Sequence, residues 1–402
     1  MLALTLYFMT KQAYLSILDE SQLNDYCQQI LANSAITWIA IDTEFVRVDT
    51  YFPKLSLVQI EDCLGQAAII DPIAIQNSTE NPKPLHALVE LLADNSIVKV
   101  FHSVRQDIEV LFQLENIMPQ AIFDTQIAAI FKKHGDIAGF ARVIENELGT
   151  TLEKSQTRTN WHQRPLTTEQ IEYALDDVRY LAPLYKKYQQ ELSAEQLAAV
   201  IEDSNALLDE SLYRADPSLA GNKVKGTKGL KGKGLAIVNS LAAWRENYAI
   251  EHDRPKKWVL SDEAIVQIAK RPPKTEQALY KVPNIKASSV KGYGEQWIAL
   301  IDEVFALEPD ALPKAAPKPL KETPQEEALL NYLQAYIQQT ALSYNLNVNN
   351  LANKEFLLKL IREPEKNTLS GWKQVLIGKD LQALLKGESK LSIKQQNIHI
   401  EP

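Results

Sequence analysis

The sequence contains little cysteine: Cys27 and Cys63 are its only two, and they show no CxxC spacing. Two isolated cysteines indicate neither a disulfide scaffold nor a thiolate zinc site. The sequence also lacks any uninterrupted apolar run of about 20 residues, the length that a membrane-spanning helix needs. We therefore expect a protein of the reducing cytoplasm that has no membrane partner.

The N-terminus lacks the features of a targeting segment. Residues 1–8 are apolar, but the stretch is short, has no basic region before it and is soon followed by Lys11. We expect neither a signal peptide nor a membrane anchor there. Met9, which stands before a polar stretch, is an alternative start to Met1.

Net positive charge is absent as well. The formal charge is −8 at pH 7, which argues against a protein that coats nucleic acid through bulk electrostatics but leaves room for a local basic patch. With 45% hydrophobic and 23% charged residues, the composition is that of a globular protein. The chain has 402 residues, so we expect two or three domains.

An apolar run over residues 36–45 predicts a strand buried on both faces, of the kind found in a mostly parallel sheet. It ends in Asp42 and Glu44, whose side chains project from the same face because side chains alternate along a strand. Two carboxylates held this close repel each other, and a divalent metal ion is the usual counter-charge. The simpler alternative is a polar strand end in which Asp42 starts a turn. Whether other acids converge on this pair decides between the two interpretations.

The segments around this strand predict a mixed α/β sheet over residues 1–210. Runs at 55–60 and 66–70 predict a hairpin, and the run at 97–101 predicts a further strand. Helical spacing predicts these helices: residues 21–31 with Ser21 as N-cap, 85–92, a helix after the N-cap Ser103, a helix from Thr125, 137–148, and a long helix from Thr168 towards Gln190 with Thr167 and Gln170 at capping-box spacing.

The composition changes after residue 210. Residues 211–234 are rich in Gly and Lys, which predicts a flexible linker whose lysines either contact phosphates or only keep a tether soluble. Two helical segments follow, at 235–312 and 320–402, and they match after a shift of 92 residues, which favours two copies of one small bundle. Leu241, Ala243, Trp244, Ala249, Leu260, Ile265, Val266 and Ile268 recur as Leu333, Ala335, Tyr336, Ala341, Ala352, Leu357, Leu358 and Leu360.

Two further acids lie on predicted helices. Asp107 falls one turn into the helix after Ser103, and Asp177 lies on the long helix, four residues after Tyr173 and on the same helix face. Alone, this last pair fits equally well an aromatic core residue beside a solvent-facing acid. Together with the two strand-end acids, however, it completes a set of four carboxylates and one tyrosine.

This set resembles the tyrosine subtype of the DEDD exonuclease superfamily. Asp42-Thr-Glu matches the first motif, residues 101–107 match the second, and Tyr173 with Asp177 matches the third. The histidine subtype has a His five residues before the last acid, where this chain has Glu172.

At a finer level the chain resembles the ribonuclease D family of bacteria, which carries paired HRDC-type helical domains in its C-terminal part. The resemblance spans nearly the whole chain and is weakest after Leu320. The similar segments are Asp42-Thr-Glu-Phe-Val-Arg47, Phe123-Asp-Thr-Gln126, Lys154-Ser155, Arg164-Pro165-Leu166 and Tyr173-Ala-Leu-Asp-Asp-Val178.

The resemblance implies a fold and an activity. The fold would be an α/β ribonuclease H-like exonuclease domain, with a mixed five- to six-stranded sheet and flanking helices, followed by two small all-α bundles. The activity would be a metal-dependent 3′–5′ exoribonuclease that trims RNA, transfer-RNA precursors in particular, and releases nucleoside 5′-monophosphates. We expect the protein to be a monomer.

The resemblance also implies roles for the acids. Together Asp42, Glu44, Asp107 and Asp177 would hold two divalent ions, Mg²⁺ or Mn²⁺, which prefer oxygen ligands. Asp42 would bridge the ions, Glu44 and Asp177 would complete the site that activates water, and Asp107 would hold the second ion chiefly through water. Tyr173 would orient the attacking water.

Further residues are candidates for contacts with RNA. Phe45, Gln59 and His102 could contact the last nucleotides, although Phe45 also fits core packing and His102 a satisfied polar side chain. Asp124 matches a family position, but capping of the helix from Thr125 explains it without metal. By the same resemblance the HRDC-like bundles would grip the RNA. The first bundle mixes cations and aromatic side chains, although Trp244 fits core packing better: Trp244, Arg245, Arg254, Lys256, Lys257 and Trp258.

Two other functions stay open. A DNA 3′–5′ exonuclease is one, because the sequence does not show what recognises a 2′-hydroxyl group. A non-catalytic RNA-binding module on the same fold is the other, and the presence of all four acids together with Tyr173 disfavours it.

Overall fold

The structure is a computed structural model that describes residues 13–153, 156, 159–314 and 321–402. The alternative start at Met9 and the Lys154-Ser155 segment lie outside the described residues. None of the described helices is both long and apolar enough to cross a membrane.

The chain divides into two compact units. The first, which we call the sheet unit, comprises the described parts of residues 1–46, 55–212 and 321–402. The second, which we call the helical unit, comprises those of residues 47–54 and 213–320.

A mixed six-stranded sheet forms the centre of the sheet unit. Its strands are β1 (Tyr14–Ile17), β2 (Trp38–Val46), β3 (Lys54–Asp62), β4 (Ala67–Ile70), β5 (Val98–Phe101) and β6 (Ile122–Asp124). They lie in the order β1-β4-β3-β2-β5-β6, with β3 and β4 as an antiparallel hairpin and the pairs β1–β4, β2–β5 and β5–β6 parallel. The predicted mixed sheet is confirmed. β1 and β6 were not predicted: β1 is a largely exposed edge strand without an apolar run, and β6 has only three residues and leads directly into α5.

Helices flank this sheet, and the cap of the first helix differs from the prediction. Asp19, not Ser21, accepts the capping hydrogen bond of the first helix. The capping box of Thr167 and Gln170 is present as predicted. The helices are α1 (Glu20–Ala32), α2 (Pro72–Ser78), α3 (His86–Ala93), α4 (Arg105–Glu115), α5 (Thr125–Phe131), α6 (Phe140–Leu148), α7 (Thr168–Glu191) and α8 (Ala194–Ala206).

Strand β2 is buried in the middle of the sheet. Ile39, Ala40 and Ile41 are fully buried, as expected for a strand that is covered on both faces. Helix α7 packs against β2, so its residues reach the end of the strand where the acids lie.

The helical unit is a bundle with its own core around Trp297, which is fully buried. A 3₁₀ helix at Pro217–Lys223 adds Ala220 to that core, and the following Val224 is buried there too. The predicted flexible linker over 211–234 is therefore wrong for these residues, because their small apolar side chains pack against α9. The helices are α9 (Lys233–Glu251), α10 (Lys256–Val259), α11 (Asp262–Lys270), α12 (Glu276–Leu279) and α13 (Ala287–Ala306).

The C-terminal helices belong to the sheet unit. Leu333, Leu357 and Trp372 share one hydrophobic core with Phe131 and Val200. The prediction of a separate domain over 320–402 is thus corrected, since the apolar face of this bundle packs on the nuclease part. Its elements are α14 (Pro324–Tyr344), α15 (Val348–Leu351), α16 (Lys354–Arg362), α17 (Gly371–Lys373), a π-helical turn (Gln374–Gly378), α18 (Lys379–Lys386), β7 (Lys390–Lys394) and β8 (Asn397–Glu401).

The two bundles match as the 92-residue shift predicted. The bounds of α10 and α11 coincide with those of α15 and α16 after that shift. The core positions match as well: Ile265 and Leu357 are both fully buried. The copies differ at their ends, where the 20-residue α13 has the shorter α18 and the β7–β8 hairpin as its counterpart.

Candidate active site

Three carboxylates converge at the end of β2. Asp42 and Glu44 project from the same face of the strand, and α7 brings Asp177 to them. One oxygen of each residue lies within 4.8 Å of the other two. The alternation along β2 and the packing of α7 thus produce a cluster that none of the three residues indicates alone.

Asp107 lies beside this cluster. It stands in the first turn of α4, is 7% exposed, and accepts a hydrogen bond of 2.5 Å from the hydroxyl of Thr43. Because Thr43 stands between Asp42 and Glu44 in the chain, this bond ties α4 to the acidic end of β2.

The four acids strongly perturb one another. Burial, followed by repulsion from Asp177, raises the pKa of Asp42, and burial followed by repulsion from Asp42 raises that of Asp107. Burial and the neighbouring acids, Asp42 first, raise the pKa of Glu44 to about 10. Burial and then Asp176 and Asp107 raise the pKa of Asp177 to about 7. The cluster is therefore short of positive charge.

A divalent cation fits this donor set. The ligands are hard carboxylate oxygens, which Mg²⁺ and Mn²⁺ prefer. Among the described residues that line the pocket, none is Lys or Arg, so a bound cation would be the main counter-charge to the raised carboxyl groups.

The acids open into a pocket of about 450 Å³. Aromatic side chains lie beside the acids in its wall, which suits a site that receives a planar base as well as a phosphate. The lining residues are Asp42, Thr43, Glu44, Phe45, His102, Ser103, Gln106, Asp107, Phe140, Thr159, Trp161, Tyr173, Asp177 and Leu181.

Tyr173 is positioned by a loop that sequence reasoning did not assign to the site. Its ring packs against that of Trp161 at 6.0 Å between centroids, and Trp161 is 3% exposed. Arg164 holds this loop: it binds Asp71 through two hydrogen bonds of 2.6 and 2.9 Å and donates to the carbonyl of Trp161 at 2.7 Å. The signal available in the sequence was the short connection before α7, which contains Trp161 and Arg164.

Asp124 organises the start of α4. Its carboxylate accepts hydrogen bonds from the backbone N–H groups of Ser103 at 2.8 Å and Val104 at 3.0 Å, and it also caps α5 through Gln126. Ser103 has a positive φ of 65° and is not the helix cap, so that prediction is wrong. Asp124 of the neighbouring strand instead binds the two amides that precede α4, and its predicted capping of α5 is confirmed.

The candidate RNA contacts divide into two groups. Phe45 and His102 line the pocket. Both ring nitrogens of His102 are engaged, with Thr125 Oγ1 and the Ala138 carbonyl at 2.9 Å each, and burial lowers its pKa. Gln59 is fully buried and does not line the pocket, because it lies mid-strand in β3. The structure therefore corrects its predicted contact with RNA.

The sheet order, the acidic cluster and Tyr173 define a metal-dependent exonuclease of the DEDD class in its tyrosine subtype. A family model described as a 3′–5′ exonuclease matches residues 14–193, and one described as an HRDC domain matches residues 234–301.

Comparisons with known proteins are more specific. Ribonuclease D of Pseudomonas paraeruginosa is 31% identical over 93% of this chain and 98% of its own length. Ribonuclease D of Zymomonas mobilis is 30% identical over 95% of this chain and 96% of its own. The crystal structure of Escherichia coli RNase D, described as an exoribonuclease involved in structured RNA processing, is 29% identical with a TM-score of 0.78, and covers 94% of this chain and 99% of that chain.

The chain belongs to the ribonuclease D family. The predicted family, fold class and enzyme class, a hydrolase of the 3′–5′ exoribonuclease type, are confirmed.

Proposed function

We propose that this enzyme trims single-stranded 3′ ends of transfer-RNA precursors and releases nucleoside 5′-monophosphates. The convergence of Asp42, Glu44 and Asp177 within 4.8 Å, in a pocket that Tyr173 also lines, carries the proposal. The description of the Escherichia coli relative as an exoribonuclease that processes structured RNA supports this substrate class.

Two divalent ions, Mg²⁺ or Mn²⁺, would be held by the acids. Asp42, Glu44 and Asp177 would hold one, and Asp107 with Asp42 would hold the other. When bound, such ions generate hydroxide from water and stabilise the leaving 3′ oxygen.

The side chains of the pocket position the attacking water and the terminal base. A phenol is a weak base at neutral pH, so Tyr173 orients the attacking water through its hydroxyl rather than accepting its proton. Trp161 packs against Tyr173 and fixes its ring. Phe45 and Phe140 offer apolar surface to the terminal base.

We further propose that the enzyme is a cytoplasmic monomer. The free thiols of Cys27 and Cys63 support a reducing compartment.

A precursor transfer RNA with a 3′ extension, labelled at its 5′ end in one sample and uniformly in another, tests the proposal. With Mn²⁺ we expect products that shorten one nucleotide at a time, together with free nucleoside 5′-monophosphates. If no mononucleotide is released, the non-catalytic RNA-binding module is the better account. Equal digestion of a DNA oligonucleotide of matched sequence would favour the DNA exonuclease.

A further inference from the structure

Four aromatic rings form a connected group on the helical unit. Trp244, Tyr248 and His252 are spaced by four residues along and just after α9. Trp244 stacks on Tyr248 at 5.5 Å between centroids, and Tyr248 stacks on His252 at 3.9 Å with the rings 12° from parallel. Tyr293 of α13 packs against Tyr248 at 4.7 Å and donates a hydrogen bond of 2.7 Å to its hydroxyl. We call these four residues the aromatic ladder.

The ladder runs from the core to the surface. At its inner end Trp244 packs edge-on against the fully buried Trp297. At its outer end His252 is exposed, and its Nδ1–H donates to the Tyr248 carbonyl at 3.0 Å, which holds the imidazole parallel to the phenol. A core does not require an exposed ring fixed in this way, whereas flat ring faces at a surface are what unpaired bases stack on.

The charge of the helical unit suits a polyanion. Residues 47–54 and 213–320 contain 20 Lys and Arg against 13 Asp and Glu, a formal charge of +7, while the rest of the chain carries −15. The excess of positive charge in an otherwise acidic chain thus lies in this unit, where it would attract phosphates.

A cation lies close to the ladder. Arg254 is exposed and follows His252 by two residues. The pKa of Tyr293 is raised by its hydrogen bond to Tyr248 and by burial, and the charge of Arg254 opposes this rise. Arg254 is therefore within electrostatic range of the rings.

The second copy of the repeat shows that the fold does not require the ladder. After the 92-residue shift, Trp244, Tyr248 and His252 of the ladder correspond to Tyr336, Thr340 and Tyr344. Tyr336 is 7% exposed and bonds to Asp380, so this copy presents no row of stacked rings there.

We infer that the aromatic ladder is a stacking site for the bases of single-stranded RNA, with Arg254 as a phosphate partner. The inference rests on the proposed function, since an enzyme that trims a 3′ end must also hold the strand upstream of the scissile bond.

Binding of a fluorescein-labelled 12-nucleotide oligoadenylate tests the inference, by anisotropy in EDTA with the full chain. Tyr248→Ala and His252→Ala should each weaken binding about fivefold or more. Tyr248→Phe keeps the ring and should bind within twofold of the unsubstituted protein. Tyr280→Ala removes an aromatic side chain that is 49% exposed elsewhere in the same unit, and it should also bind within twofold.

Thermal unfolding of every variant separates binding from folding. If folded His252→Ala and Tyr248→Ala proteins bind the oligoadenylate as tightly as the Tyr280→Ala control, the inference is wrong. Equal affinity for a perfectly paired RNA duplex would also overturn it, because paired bases cannot stack on the ladder. Failure of the proposed function would show separately, as absence of mononucleotide release by the unsubstituted enzyme, and would leave the binding result intact.

Discussion

The two copies of the helical repeat put the same set of helices to different uses. In the first copy, the helical unit closes a core of its own around Trp297 and turns the aromatic ladder outward. In the second copy, Leu333 and Trp372 pack into the core of the sheet unit. The backbone N–H of Trp372 donates to Asp203 of α8 at 2.7 Å, and Lys133 lies over the ring of Tyr344.

The difference shows that a repeat detected in sequence does not fix the role of its copies. What the copies share is the inward-facing set of apolar positions. What separates them is the outward face, which in the first copy carries rings and cations and in the second copy supports the nuclease fold. We therefore expect damage to the second copy to act through stability and damage to the first to act through RNA affinity.

The largest expected effect concerns the acidic cluster of the sheet unit, the unit to which the second copy belongs. Asp177→Asn removes one of the clustered carboxylates and should reduce mononucleotide release at least about 10³-fold, comparable to the loss of a transition-state charge contact. RNA affinity in EDTA should change little, because no bound cation is involved there. Asp25→Asn is the matched control: this exposed acid of α1 does not line the pocket. Equal loss in both variants would contradict the assignment.

Trp372→Ala should break the attachment of the second copy. Removal of this buried ring from the core that it shares with Phe131 should cost about 3–5 kcal/mol of unfolding free energy. The cost should appear in the unfolding of the sheet unit, measured by denaturant titration. Trp297→Ala is the counterpart in the first copy and should destabilise the helical unit instead. Hydrogen exchange assigns each loss to its unit, and the same exchange pattern in both variants would refute the comparison.

The acidic cluster should make the stability of the metal-free enzyme depend on pH. Carboxyl groups whose pKa is raised on folding stabilise the protein at low pH, and this contribution is lost as the pH rises through about 7 for Asp177 and about 10 for Glu44. Added Mg²⁺ should therefore raise Tm more at pH 9 than at pH 5. Thermal unfolding with Mg²⁺ and with EDTA measures this difference, and an equal Mg²⁺ effect at both values would count against the site.

The smallest expected effect tests the contact of the second copy with α8. Gly371 has a φ of 53°, and a Cβ there would overlap the carboxylate of Asp203. Gly387 also has a positive φ, 73°, but has open space around it. Gly387→Ala should cost about 1 kcal/mol for the backbone alone, and Gly371→Ala should cost clearly more. Equal costs in urea titrations would show that the Asp203 contact contributes nothing.

Much of the site was predictable because its signals are local. The alternation along residues 36–45 places Asp42 and Glu44 together, and the four-residue spacing places Tyr173 with Asp177. What escaped prediction depends on contacts between distant segments. The carboxylate of Asp124 binds the backbone N–H groups of Ser103 and Val104, just before α4, because β5 and β6 are neighbours in the sheet.

Burial of polar residues and docking of apolar faces also escaped prediction. Gln59 resembles a ligand contact in sequence, yet its strand is covered on both sides. Periodicity shows which face of the 320–402 helices is apolar but not what covers it, so their packing on the nuclease part could not be foreseen. The 3₁₀ helix at Pro217–Lys223 was hidden by the surrounding Gly and Lys residues.

Binding of Mn²⁺ to the metal-free enzyme tests the central claim most directly, namely that the acids at the end of β2 form a site for divalent ions. The free-ion signal in electron paramagnetic resonance gives the stoichiometry. We expect Mn²⁺ to bind the unsubstituted protein and Asp25→Asn alike, and Asp42→Asn to bind it at least about tenfold more weakly. Equal binding by Asp42→Asn and the unsubstituted protein, or no binding by either, would contradict the account.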